Sequence, residues 1–314
     1  MLAGWCSAAL AAEPLPRLGA DASAFTVSGV SSGGYMAVQM HVAHSSRVRG
    51  AAALAAGPYY CAQGSLWTAM NKCMTGVPQA SRADADRFAR EGLIDPTGNL
   101  AKARVWLFSG AQDRTVTPAV VSALGGFYYL YKAEVAMVSK PAGHAMVTEH
   151  TGAACGATEP PFINDCDYDA AGELLRHLLG DLSPPAAGPG GRLFAFVQDK
   201  NARAISMADE GYVYVPRACE TERCRVHVAF HGCRQGAEAV GERFVRDAGY
   251  NRWADTNRLI VLYPQAVARY VWWVWNPRGC WDWWGYTNSR YATKEGPQIR
   301  AVLAMVERLG SRRQ

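Results

Sequence analysis

The stretch Phe25-Thr26-Val27-Ser28-Gly29-Val30-Ser31-Ser32-Gly33-Gly34 constrains this chain more than any other. An apolar run of strand character enters it. A run of helical character leaves it, with Met36, Met40 and Val42 among its apolar positions. Between the two lies G-x-S-x-G. A chain that turns from strand to helix so sharply crowds its own backbone, so the positions two before and two after the central serine must be glycine. The serine then sits at the tip of a strained turn. The helix start aims free N–H groups and the positive end of its dipole at any negative charge developing there. Ser31 is therefore the candidate nucleophile, and Ser32 the donor of a backbone N–H.

A serine hydroxyl is inert without a base, and the base needs an acid to orient it. On this architecture the acid and the base follow the serine, on loops after later strands. After the apolar Val105–Phe108 comes Ser109-Gly110-Ala111-Gln112-Asp113, and after Val135–Val138 comes Pro141-Ala142-Gly143-His144. Asp113 and His144 occupy those loops, and their order favours them more than their local surroundings do. His41 and His44 lie on the helix leaving the turn, His177 on an amphipathic helix and His227 inside a strand, so all four read as structural. His150, just past the His144 loop, is the nearest rival base. His231 closes the apolar run Arg225–Phe230 and begins His231-Gly232-Cys233, a form that supplies a second oxyanion donor. Cys233 N–H is that donor, and His231 reads as a loop-shaping residue.

Strand and helix signals alternate along the chain, which predicts an α/β fold with a mostly parallel central sheet flanked by helices. A helix is expected over roughly Ala237–Asn257 and a last one over about Lys294–Leu309. The hole strand normally precedes the nucleophile, yet here it follows it by about 200 residues. Reading from Leu193 to the end, and then from the beginning, restores the usual order. The chain therefore reads as a circularly permuted α/β-hydrolase fold. The Pro/Gly stretch 183–191 is then an internal linker between the old termini. Because Ser31, Asp113 and His144 lie on one side of it and the hole on the other, residues 13–314 are expected to form one catalytic domain.

The segments FTVSGVSSGGYMAVQ, AAGPYYC, GAQDRTV, PAGHAMVT, VAFHGCRQ and CWDWWGY run from Phe25 to Tyr286. As a set they resemble the secreted polyhydroxybutyrate (PHB) depolymerases of the permuted, single-domain α/β-hydrolase type. The resemblance implies a triad of Ser31, Asp113 and His144, with an oxyanion hole from the Ser32 and Cys233 N–H groups. It implies hydrolysis of poly(3-hydroxybutyrate) and related short-chain polyhydroxyalkanoates through an acyl-enzyme, with no cofactor. A feruloyl or acetyl esterase of plant polysaccharide would use the same machinery and is the alternative. No substrate-binding domain is expected after Leu309, so the catalytic surface has to suffice.

Composition bears on compartment and partners. Nine Cys exceed what a well-cored chain of 314 residues needs. If Cys6 leaves with a leader, local spacing suggests Cys61–Cys73, Cys155–Cys166 and Cys219–Cys224, leaving Cys233–Cys280. A free Cys233, or a Cys233–Cys224 pair, stays open. No CxxC or HExxH spacing favours a metal. Disulfides imply an oxidising compartment, extracellular or periplasmic. Residues 1–12 are expected to be a signal-peptide remnant cut after Ala11 or Ala12, although no basic residue precedes Arg17. The net charge of +5 is scattered, so nucleic acid is not an expected partner. No apolar run reaches membrane-spanning length, and a monomer is expected. Ten Trp are present, six of them between 272 and 284. A core alone rarely needs that density, and indole faces suit an apolar polyester, so Trp283 and Trp284 are the candidate substrate-binding residues.

Overall fold

A computed structural model of the chain describes residues 12–199, 201–272 and 274–313. The expected leader, apart from Ala12, and Trp273 lie outside the described residues. In chain order the strands are β1 (Glu13–Pro14), β2 (Asp21–Val30), β3 (Val48–Leu54), β4 (Arg104–Gly110), β5 (Glu134–Lys140), β6 (Met146–Thr148), β7 (Ala153–Ala154) and β8 (Ile163–Asp165). After the Pro/Gly stretch come β9 (Arg192–Val197), β10 (Glu210–Val215), β11 (Arg225–Phe230), β12 (Leu259–Tyr263), β13 (Arg269–Val271) and β14 (Val274–Asn276). The helices are α1 (Ser32–Ala43), α2 (Leu66–Asn71), α3 (Ala83–Arg90), α4 (Pro118–Tyr129), α5 (Ala170–Leu179), α6 (Ala237–Val240), α7 (Arg243–Asp247), α8 (Tyr250–Asn257) and α9 (Pro297–Gly310).

Nine strands form one sheet in the order β1-β9-β10-β12-β11-β2-β3-β4-β5. Only β10 runs against its neighbours. Counted from β9 to the end and then from β2, the sheet is a hydrolase sheet whose numbering has been cut and rejoined. The join in space is β11 beside β2, with His227 opposite Thr26 and Phe230 opposite Gly29. That pairing brings the strand that runs into His231-Gly232-Cys233 next to the strand that runs into Ser31, despite their distance in sequence.

Each strand sends alternate side chains into opposite layers, as the two-residue period of a strand requires. Val105 and Leu107 of β4 pack with α1, α4 and α9, whereas Trp106 and Phe108 pack with α5 and α8. Strand β3 reads Gly-Ala-Ala-Ala because helices press on both its faces. A Cβ on Gly50 would lie 2.7 Å from the Arg104 carbonyl oxygen and 3.0 Å from Leu178. All twelve residues of α1 are buried between the sheet and α9, which explains why its sequence lacks a polar stripe.

The long helix expected over 237–257 is three short ones. Gly241 (φ 63°) and Gly249 (φ 94°) sit in left-handed conformations at the breaks, where glycine carries no steric penalty and a helix cannot continue. The last helix begins at Pro297 rather than Lys294, with the proline in the first turn where its missing N–H is harmless.

Candidate active site

Ser31 stands between β2 and α1 with φ 57° and ψ −124°, a conformation that non-glycine residues rarely adopt and that gathers at functional sites. Its N–H donates to the Leu54 carbonyl at 2.8 Å, fastening the tip of the turn to the end of β3. Close approach accounts for the glycines. A Cβ on Gly29 would lie 2.2 Å from the Gly33 carbonyl oxygen. One on Gly33 would lie 2.4 Å from the carbonyl oxygens of both Phe230 and His231. Gly33 thus permits the turn and also lets the end of β11 reach it.

Asp113 follows β4 and is buried. Its Oδ1 accepts from the N–H groups of Thr115 (2.7 Å) and Val116 (2.9 Å), and its Oδ2 lies 2.7 Å from His144 Nδ1. A carboxylate can only accept, so Nδ1 carries the ring proton and Nε2 is left as a base. The His144 N–H donates to Thr158 Oγ1 at 3.0 Å, and the Gly143 N–H to the Cys155 carbonyl at 2.8 Å. That supporting segment is itself held by the Cys155–Cys166 disulfide and by Asn164, whose Nδ2 donates to the carbonyls of Cys155 and Ala157. Ser31 and His144 line one cavity of about 290 Å³. No hydrogen bond joins them among the described residues; such contacts are often long until substrate arrives.

The His231-Gly232-Cys233 turn lies against Ser31, since a Cβ on Gly232 would stand 3.4 Å from Ser31 Cβ. Neither Ser32 nor Cys233 gives its N–H to a backbone acceptor among the described residues. His231 is buried and does not line the cavity. Its Nε2 accepts from the Ala266 N–H at 3.0 Å and its Nδ1 donates to the Gly232 carbonyl at 2.7 Å. Burial lowers its pKa to about 4, keeping it neutral. Cys233 is bonded to Cys280, with their Cα atoms 4.1 Å apart. The other bridges are Cys61–Cys73 and Cys219–Cys224.

One residue without a signal in the sequence helps to hold the turn. Gln235 is wholly buried; its Oε1 accepts from the Gly232 N–H at 2.7 Å and its Nε2 donates to the Phe162 carbonyl at 2.8 Å. Ser32 also uses its side chain, Oγ accepting from the Trp281 N–H at 3.3 Å.

Trp283 and Trp284 line the cavity and are 6% and 9% exposed. Trp283 stacks on Tyr35 with centroids 4.2 Å apart, and Trp284 meets Trp283 edge-on at 5.6 Å. Asp282 organises this segment, accepting from the N–H groups of Gly285, Tyr286 and Thr287. Burial raises its pKa above the usual carboxylate value. Trp281 is core, whereas Trp272 and Trp275 are exposed.

His150 is exposed and does not line the cavity. Its ligand atom and those of Asp165 and Asp167 lie within 4.8 Å of one another. His41, His44 and His227 are buried away from the cavity. His227 bonds to Thr26 and Ser28 of the neighbouring strand. Among the described residues no helix is long and apolar enough to cross a membrane.

No family model matches the chain. A poly(3-hydroxybutyrate) depolymerase of Delftia acidovorans is 42% identical over 96% of the chain, which spans 62% of that relative's length. A polyhydroxybutyrate depolymerase of Talaromyces funiculosus is 36% identical over 97% of the chain and 95% of its own length. The crystal structure of PHB depolymerase from Penicillium funiculosum matches with a TM-score of 0.88 at 33% identity, covering 95% of this chain and all of the other. A PHB depolymerase variant complexed with an R3HB trimer matches at 0.87 and 32% identity, with the same coverage.

Proposed function

The chain belongs to the polyhydroxybutyrate depolymerase family, and from that premise we propose that it hydrolyses poly(3-hydroxybutyrate) and related short-chain polyhydroxyalkanoates to 3-hydroxybutyrate and oligomers. The observation that carries this reading is the bonded Asp113–His144 pair opening onto the same apolar cavity as Ser31. A polyester offers methyl groups and carbonyls but no charge, and Trp283 and Trp284 give it aromatic faces with indole donors.

His144 Nε2 takes the Ser31 proton as Oγ attacks the ester carbonyl. The Ser32 and Cys233 N–H groups receive the oxyanion, and Asp113 stabilises the imidazolium that forms. His144 then gives its proton to the departing alkoxide, leaving an acyl-enzyme on Ser31. Water, deprotonated by His144, attacks that ester, and His144 returns the proton to the departing Ser31 Oγ as the carboxylic acid leaves. Residues 13–314 act as one catalytic unit, and four disulfides suit an extracellular or periplasmic setting.

Clearing of an opaque suspension of poly(3-hydroxybutyrate) tests the reading. The protein should clear it, and Ser31→Ala or His144→Ala should lower kcat by at least about a thousandfold with folding intact. A stable suspension under the unaltered protein, or near-normal turnover by either variant, would overturn it.

A further inference from the structure

The neutral polymer does not account for two residues of the cavity. Arg234 and Arg278 line it, and no Asp or Glu does. Both are exposed, and neither forms an ion pair among the described residues. Glu238, the acid that lines the adjoining depression, is engaged with Arg203 at 2.8 Å. A carboxylate within reach of both guanidinium groups would be attracted by both charges.

The backbones that carry the two side chains are also fixed. Arg234 has φ 57° and its N–H donates to the Arg278 carbonyl at 2.7 Å. The Cys233–Cys280 bridge closes the same two segments beside them. The Arg234 guanidinium lies 5.5 Å from the Phe162 ring, a position that favours a cation. Both backbones are therefore tied to the turn that carries the Cys233 N–H.

We infer that Arg234 and Arg278 form a carboxylate site that takes the free carboxyl terminus of a hydroxyalkanoate oligomer. The inference rests on the depolymerase reading above. The anions of that reaction are chain-end carboxylates and acid products, and guanidinium groups hold carboxylates through paired N–H donors. In such an ester chain the carboxyl terminus always lies on the alcohol side of any scissile bond. An oligomer anchored by its carboxylate therefore presents to Ser31 an ester near that end. The acyl part stays on Ser31, and the departing hydroxyl, protonated by His144, leaves on the fragment held by the arginines. The site makes the protein favour oligomers with a free terminus and release short hydroxy acids.

The test compares the 3-hydroxybutyrate trimer as free acid and as methyl ester. The unaltered protein should show a KM about tenfold lower for the acid, and added NaCl should erode the difference by screening. In Arg234→Gln/Arg278→Gln the ratio of the two KM values should fall toward one. If that double variant does not fold, Arg234→Lys and Arg278→Lys singly should each narrow the ratio in part. Equal KM values in the unaltered protein, or a preference that survives the substitutions, would overturn the site. Calorimetry on Ser31→Ala separates the two readings. Tight binding of the acid over the ester, with no hydrolysis of either by the unaltered protein, would keep the carboxylate site and remove the depolymerase reading.

Discussion

Asp113 accepts three hydrogen bonds, two from backbone amides and one from His144, and each narrows what can replace it. Asparagine keeps the shape but can turn an NH2 group toward Nδ1, which forces the ring into the tautomer that cannot take the Ser31 proton. Asp113→Asn should lower kcat by about a thousandfold or more while the melting temperature changes little. A variant with near-normal kcat would show that Asp113 does not orient the base. Residues of this kind were legible to different depths. Ser31 was readable because its turn obeys a local steric rule, and the structure puts numbers on it at Gly29 and Gly33. The pairing of Asp113 with His144 was readable only by their order after two strands. Gln235 was not readable at all. Its amide spans from Gly232, three residues away, to Phe162, 73 residues away, and no spacing rule encodes a bond of that length.

Strands were more legible than helices. Apolar runs such as Arg225–Phe230 and Leu259–Tyr263 coincide with β11 and β12, since central strands are buried on both faces. The apolar positions from Ala237 to Asn257 fit one helix, whereas Gly241 and Gly249 decide where it stops. The small sheet of β6, β8 and β7 was missed because its strands are two or three residues long, too short for any period. The Cys233–Cys280 bridge is the clearest test at this scale, since it joins the turn bearing the Cys233 N–H to the Trp283–Trp284 segment. In the chain-entropy model, closing a loop with separation 47 adds roughly 4 kcal/mol of stability. Cys280→Ser should therefore melt earlier. Measured far below its melting point, its kcat should still be reduced, because the hole works only when its donors are held in place before charge develops. A variant that melts earlier but turns over normally at low temperature would make the bridge a stabiliser alone.

At the scale of the whole molecule, strand order carried the permutation, because the order of hole, nucleophile, acid and base is a property of the entire sheet. What the sequence did not reveal is how many histidines the two packed layers enclose. Burial lowers the pKa of His41 and His227 to about 3 and of His231 to about 4. It does the same for His44, to about 4, outweighing the attraction of Asp95. All four start from an ordinary value of 6.5. The unfolded chain therefore binds protons between roughly pH 6.5 and 4 that the folded protein refuses, and stability falls as pH drops through that window. It is fully present above 6.5. The slope approaches about 1.4 kcal/mol per pH unit for each enclosed histidine, less for His44, which a carboxylate faces. Asp282, whose pKa burial raises, is protonated more readily in the folded protein and opposes part of this decline; carboxylates held low act in stronger acid. Asp95 is held below 3.8, its burial outweighed by Lys294 and Ser46, so its contribution is lost only in stronger acid. Urea midpoints should therefore decline from about pH 6.5 to pH 4.5, before Asp95 titrates. His41→Gln, which places an uncharged amide beside Tyr128, should flatten that decline even if it lowers the midpoint at neutral pH. A midpoint unchanged between pH 6.5 and 4.5 would mean that the buried imidazoles can be protonated in the folded protein, and that its core is less sealed than the packing around α1 and β11 implies.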